Sequence, residues 1–298
     1  MGGRQRLNRI IEKIIVFILF LATSISVIVT FSIIYIIFSE AIPFFKEVSI
    51  IEFLTDTQWT PLFTQKHYGI LPLLVGTLLT SVIALAVAIP AGITIAVFLN
   101  EYVSSRVRNV VKPIIELLAL VPTVVYGYFA LLIVTPALQK IIPDLQSFNA
   151  LSAGLVMGMM ILPMIASLTD DAIKSVPRSL REAAYGLGAT RFQTAFKVLI
   201  PAASYGIVAA IMLAIARAFG ETMIVTIAAG QFPILTFDPR QPVETITAYI
   251  VQVTMGDVPH DSLEYRTVFA AALVLFILTS IATSLSFYVR RKMAMIKR

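Results

Sequence analysis

Two opposite charges, four residues apart, lie in the middle of an apolar stretch. Arg217 and Glu221 fall within residues 204–229, a run long enough to cross a bilayer, which takes about 20 apolar residues. A charged side chain at mid-membrane costs about 3 kcal/mol or more, so it requires a partner or a function. Because residues four apart share one face of a helix, the spacing predicts that the two side chains meet.

The composition shows what surrounds these two charges. The chain has 298 residues, of which 58% are hydrophobic and 13% are charged, whereas ordinary soluble domains are about half apolar and a quarter charged. The composition therefore predicts an all-α, polytopic membrane protein. The apolar runs predict six transmembrane helices, over residues 14–38, 69–99, 113–136, 151–168, 204–229 and 267–289.

Basic residues give this arrangement an orientation. Seventeen of the 23 lysines and arginines lie at the two termini and in the loops at residues 101–112 and 170–200. The positive-inside rule then predicts that both termini and these loops are cytoplasmic. Because the net charge of +6 comes from basic residues at the ends of spans, it does not indicate a nucleic-acid partner.

The cytoplasmic loop at residues 170–200 is the second candidate site, since it is too polar to span the bilayer. Its residues predict two short helices at the membrane surface. Ser175 would cap the first helix and Gly188 would end it. The segment Thr190–Gln193 has the form of a capping box, which would open a second helix that ends at Pro201.

The first of these helices carries a spaced motif. Glu182, Ala183 and Ala184 are followed by three residues and Gly188, and nine residues later by the segment 198–201, which reads VLIP. This pattern resembles the EAA motif of ATP-binding-cassette (ABC) importer permeases, with two conservative replacements in the last segment. In that family the loop forms a coupling helix that docks into the ATPase subunit. The resemblance therefore implies that Glu182, Ala183, Ala184 and Gly188 couple the chain to an ATPase.

Other segments narrow the resemblance. Residues 217–223 read RAFGETM and resemble the R-A-x-G-E-T-M segment of Pst-type phosphate permeases. Residues 53–61, 68–77 and 121–127 resemble the PstC-like subunit of those importers, with Asp56 where glycine is usual. Related sulfate and molybdate permeases share a similar R-A-x-G-E, so a permease for one of these oxyanions is the alternative.

The resemblance implies a type I ABC importer permease fold, as a multi-pass protein of a prokaryotic cell membrane. Residues 1–68 would hold the basic N-terminal tail, the first transmembrane helix and an external loop. Residues 69–290 would form the permease domain, with its coupling loop at 170–200, and residues 291–298 a basic cytoplasmic tail.

The resemblance also implies partners. A second, PstA-like permease subunit would complete the path, two copies of an ATPase subunit would bind ATP and Mg²⁺, and an external phosphate-binding protein would deliver phosphate. This chain would bind no cofactor or metal and would not be an enzyme. It shows no phosphate-binding glycine-rich loop, no paired carboxylates and no histidine cluster.

The residues Arg217, Glu221 and Thr222 are the candidates for the substrate pathway. The planar guanidinium of Arg217 suits a pair of phosphate oxygens. Glu221 would hold Arg217 when no anion is present, or accept a hydrogen bond from monohydrogen phosphate. One alternative is a structural ion pair facing the partner permease. Another is an ion-coupled secondary transporter with a proton relay, which usually shows inverted repeats that this sequence lacks.

Overall fold

The fold, described by a computed structural model, consists of α-helices. The structure describes the backbone of residues 2–296 and the side-chain surroundings of residues 11–285, 287 and 288. In chain order its helices are α1 (Gly2–Glu47), α2 (Ile50–Thr55), α3 (Leu71–Glu101), α4 (Ser105–Leu118), α5 (Thr123–Phe129), α6 (Thr135–Gln139), α7 (Ala150–Lys174), α8 (Arg178–Gly186), α9 (Arg191–Thr194), α10 (Ile200–Phe219), α11 (Met223–Ala228), α12 (Ile246–Thr254) and α13 (Leu263–Ile296). Within the described residues no strand forms, and Trp59 and Tyr68 make an isolated antiparallel bridge.

The prediction of an all-α protein with six transmembrane segments is confirmed. Five segments are long and apolar enough to cross a membrane: Ile11–Glu47, Leu71–Glu101, Ala150–Lys174, Arg191–Phe219 and Leu263–Leu285. The bent pair of Ser105–Leu118 and Thr123–Gln139 is the sixth when it is counted as one span. Most of the terminal basic side chains that set the predicted orientation lie outside the described side chains: Arg4, Arg6, Arg9, Arg290, Arg291, Lys292, Lys297 and Arg298.

The third span, over residues 113–136, is broken at Pro122, one of the two positions, with Gly127, at which its sequence predicts a break. Helix α4 ends at Leu118, and the chain resumes at Thr123 after a bend of 82°. Pro122 explains the break, because proline has no N–H for the helical ladder and also keeps the preceding residue out of the helical conformation. Its own ψ of 135° is extended. Helix α4 has no buried residue.

The second helix of the cytoplasmic loop does not end at Pro201 as predicted. Residues Arg191–Phe219 form one continuous helical span of 29 residues, about 43 Å long. Pro201 follows a π-helical turn at Ala195–Leu199 and lies in the first turn of α10. Proline inside a helix removes one ladder hydrogen bond and crowds the preceding turn, and the π-helical turn lies just before it, where the ladder is already altered. A single rod therefore joins the cytoplasmic loop to Arg217.

The centre of the bundle depends on the close approach of α3 and α7. A Cβ added at Gly158 would lie 2.8 Å from the Ala84 carbonyl oxygen, and one at Gly154 would lie 2.7 Å from Ile83 Cβ. Real Cβ atoms essentially never approach so closely, so only glycine fits at either position. The spacing of four between these glycines does permit helix contact, and small and branched residues form the buried core around it.

A second buried cluster closes the external end of the bundle. The ring of Trp59 lies between Phe53 and Tyr249, edge-to-face, with centroid distances of 6.1 and 5.0 Å. Trp59 is only 1% exposed. The first external loop folds back onto α12, and that contact gives the indole an aromatic environment instead of lipid headgroups.

We expect Gly158→Ala to lower the free energy of unfolding by about 1–3 kcal/mol, because the new methyl group collides with the α3 backbone. Thermal unfolding of the detergent-solubilised protein measures this loss. The control is Gly186→Ala in α8, where an added Cβ meets nothing within 4 Å. An equal loss from both substitutions would contradict close packing as the cause.

Candidate functional site

The guanidinium of Arg217 makes no ion pair with any carboxylate of the described residues. It lies in the last turn of α10 and is exposed. Its Nε and Nη2 atoms donate to the Sδ atom of Met160, at 3.3 and 3.1 Å. A thioether is a weak acceptor, so this contact orients the guanidinium and leaves most of its donor capacity unused.

Glu221 does not pair with Arg217, which corrects the expectation that the two share a helix face. Helix α10 ends at Phe219 with Gly220 as its C-cap, so the helical spacing of four is broken between the two charges. The carboxylate instead accepts from the Ile224 amide at 3.3 Å, in the first turn of α11. That amide has no partner within its own helix, and Glu221 is buried with 8% exposure.

The break between α10 and α11 interrupts the segment that was predicted to span as a single helix over residues 204–229. Non-helical backbone at membrane depth is tolerated where protein covers it or where it lines a water-filled cavity. Thr247 of α12 covers one side, and its Oγ1 donates to the Glu221 carbonyl at 2.6 Å. Thr222 lies in the break and is half-buried. The break therefore brings Arg217, Thr222 and Glu221 to one place and gives the two charges different partners.

The cytoplasmic loop forms the two turns that its capping residues predict. Gly188 has a φ of +81°, and the amides of Gly188 and Ala189 donate to the carbonyls of Tyr185 and Ala184. This is a Schellman ending of α8, in which glycine takes the left-handed conformation at least cost. The capping box at Thr190–Gln193 is also confirmed, with reciprocal bonds of 3.2 and 3.0 Å.

Two details of this loop differ from the prediction. Ser175 does not cap α8 but ends α7, and its Oγ donates to the Ala172 carbonyl at 2.7 Å. The motif residues also divide between two environments. Glu182 and Ala183 are exposed, whereas Ala184 is buried with 8% exposure.

Glu101, at the end of α3, holds α8 against the membrane domain. Its carboxylate lies 3.0 Å from Nη2 of Arg181 and accepts from the Tyr185 hydroxyl at 2.7 Å. Burial, followed by the bond to Glu101, raises the pKa of Tyr185, so the hydroxyl keeps the proton that it donates. Both α8 partners lie within one turn, so these contacts fix the orientation of α8 relative to α3.

A buried carboxylate next to this contact joins α4 and α7. Asp170 has 0% exposure, pairs with Arg108, and lies 3.3 Å from Lys112 Nζ and 3.7 Å from Lys174 Nζ. The amide of Asn100 bonds both Asp170, at 3.0 Å, and Arg181, also at 3.0 Å. The bent α4 is thereby connected to the helix that carries the EAA-like motif.

Comparison with known proteins identifies the family. The sequence profile of the binding-protein-dependent transport system inner membrane component matches residues 88–295, more than half of the chain. The chain belongs to this family. The permease is therefore a multi-pass membrane protein of a prokaryotic transport system, as predicted. Membership in this family implies a partner that hydrolyses ATP and a partner that binds the substrate.

Two relatives and one solved structure show how far the similarity of the permease extends. YqgH of Bacillus subtilis strain 168, a probable ABC transporter permease protein, is 38% identical over 232 residues, covering 78% of this chain and 75% of YqgH. The phosphate transport system permease protein PstC of Mesorhizobium japonicum is 35% identical over 258 residues, covering 79% and 77%. A bacterial alginate ABC transporter, solved with an alginate-bound periplasmic protein, matches with a TM-score of 0.57, 18% identity and coverage of 90% and 93%. The ABC importer permease fold is thereby confirmed.

Asp170→Asn is expected to destabilise the permease by about 2 kcal/mol or more, because three cationic side chains lose a shared buried partner. Thermal unfolding in detergent measures the change. Asp171→Asn is the matched control, since that neighbouring carboxylate is 57% exposed and pairs with Lys112 alone. A loss from Asp171→Asn as large as that from Asp170→Asn would contradict a central role for the buried carboxylate.

Proposed function

We propose that the permease forms half of the translocation path of an ATP-driven phosphate importer. A PstA-like permease subunit would supply the other half. Two copies of an ATPase subunit would bind ATP and Mg²⁺ and hydrolyse the nucleotide, so this chain itself would catalyse no reaction. A phosphate-binding protein would deliver the anion from outside. Similarity to PstC proteins over most of the chain supports phosphate as the transported anion.

The unpaired guanidinium of Arg217 is the observation that carries this proposal. An exposed arginine in a membrane-spanning helix is costly when, among the described residues, a thioether is its only near acceptor, unless an anion or a water-filled cavity meets it. Its donor fork suits a phosphate oxygen pair, and a single contact of this kind would release the anion readily. We assign contact with the substrate to Arg217, a place beside the path to Thr222, and a positioning role to Glu221, which fixes the break.

We propose that the segment Glu182–Gly188 docks into the ATPase subunit. Glu182 and Ala183 present an exposed acceptor and a small side chain, and Leu187 beside them is 90% exposed. Ala184 is buried instead, so its role would be to let α8 pack closely against its neighbours. Movement of α8 would reach the pathway through the continuous helix Arg191–Phe219.

Arg217→Gln is expected to reduce phosphate uptake to background while the complex still assembles, because the guanidinium makes no ion pair with the described carboxylates. Uptake of radiolabelled phosphate into vesicles, with sulfate and molybdate as competitors, measures the first effect, and co-purification of the ATPase measures the second. Arg240→Gln removes the same charge from an external loop and should leave uptake intact. Normal uptake by Arg217→Gln, or loss of the complex, would refute the pathway role.

Gly188→Val is expected to uncouple ATP hydrolysis from transport, because a β-branched residue resists the left-handed conformation that ends α8. The rate of phosphate uptake per ATP hydrolysed should fall severalfold. Gly188→Asn is the conservative comparison, since asparagine adopts this conformation more readily. Equal coupling ratios in both variants and the wild type would contradict the assigned role of the turn.

A further inference from the structure

A small external pocket contains a buried carboxyl group that the proposed transport path does not use. Glu244, between α11 and α12, is 1% exposed, and its Oε1 has no hydrogen-bond partner within the described part of the chain. The pocket has a volume of about 110 Å³. Its lining includes Trp59 and Phe63 of the first external loop, Gln231 of the α11–α12 segment, and Tyr249 and Gln252 of α12.

The chemistry of this pocket favours a positively charged group. A buried carboxylate is costly without a counter-charge, and no lysine or arginine lines the cavity. Trp59 and Tyr249 contribute aromatic rings, which attract cations, and the amide oxygens of Gln231 and Gln252 are further acceptors. An anion would lie beside Glu244 with no compensating charge.

We propose that this pocket receives a lysine or arginine side chain of the external binding protein when that protein docks, with Glu244 as its counter-ion. The inference rests on the proposed function, which supplies the binding protein. The pocket volume suits the end of one long side chain, since a water molecule occupies about 30 Å³ of liquid. The lining comes from the segment between the first and second spans and the segment between the fifth and sixth spans. The positive-inside rule places both segments on the external side of the membrane.

The ionisation of Glu244 suits a partner that arrives and leaves. Burial raises the pKa of this carboxyl to about 8, so the group is neutral at pH 7 while the pocket holds no cation. A bound cation would favour the ionised form. Tyr249 is the other titratable group of the lining, and the remaining lining residues are not titratable. A permanent cationic neighbour would instead keep Glu244 charged throughout the cycle.

Contacts beyond the pocket lead to the helix break. Thr245, next to Glu244, has its Oγ1 3.1 Å from that of Thr247, which donates to the Glu221 carbonyl. The Ile246 amide donates to Thr77 Oγ1 of α3 at 3.0 Å. Occupation of the pocket would therefore act on the segment that covers the break beside Arg217.

The test titrates the phosphate-loaded binding protein against the assembled transporter in lipid nanodiscs and measures stimulated ATP hydrolysis. Glu244→Gln should raise the half-saturating concentration about tenfold or more at pH 8, because the incoming cation loses its buried partner. In the wild type this concentration should rise about tenfold between pH 8 and pH 6, as Glu244 is protonated, and the variant should lack this dependence. Glu52→Gln removes an exposed external carboxylate and should change little.

Each outcome is decisive. An unchanged half-saturating concentration in Glu244→Gln at both pH values, or an equal rise in Glu52→Gln, would overturn the pocket assignment and leave the proposed function intact. Failure of the loaded binding protein to stimulate the wild-type transporter would contradict the proposed function instead.

A second measurement keeps Glu244 unchanged, so its result holds even if the Glu244→Gln transporter does not assemble. The chain contains no cysteine, so Phe63→Cys would place a single thiol at the pocket rim. The loaded binding protein should slow maleimide labelling of this thiol severalfold. Unchanged labelling, while ATP hydrolysis is still stimulated, would show that docking does not cover the pocket and would overturn the proposal.

Discussion

The structure depends on the end of α10 between Arg217 and Glu221. A continuous helix would pair the two charges and satisfy both within the membrane segment. Because the helix stops at Phe219, the Glu221 carboxylate accepts a hydrogen bond from an amide in the first turn of α11. The charge of Arg217 therefore has no carboxylate partner in the described chain. Binding of an anion lowers the free energy of an arginine in this position. A transient substrate contact requires this property.

The remaining elements connect this break to both sides of the membrane. On the cytoplasmic side, Glu101 and Asp170 hold α8 and α4 to the bundle, and the rod Arg191–Phe219 leads from α8 to Arg217. On the external side, the first turn of α12 lies over the break through Thr247. Movement at either end therefore has a short covalent or hydrogen-bonded route to the unpaired guanidinium.

Local signals predicted much of this arrangement. The apolar runs, the capping box at Thr190–Gln193 and the turn at Gly188 could be read because each depends on neighbours in the chain. The role of Glu101, the burial of Asp170 and the pocket at Glu244 could not, since each also depends on a segment more than 50 residues away in the chain. The pairing of Arg217 with Glu221 was predicted wrongly because helical spacing was assumed across Gly220, where the backbone instead turns into a second helix.

A double-mutant cycle on the assembled transporter tests most directly whether the two charges act separately. The free energy of unfolding would be measured for the wild type, Arg217→Gln, Glu221→Gln and the double variant. Separate partners predict that the two single effects add to within about 0.5 kcal/mol. A coupling energy of about 1 kcal/mol or more would show that Arg217 and Glu221 form an ion pair, and it would contradict an arginine left free for the anion.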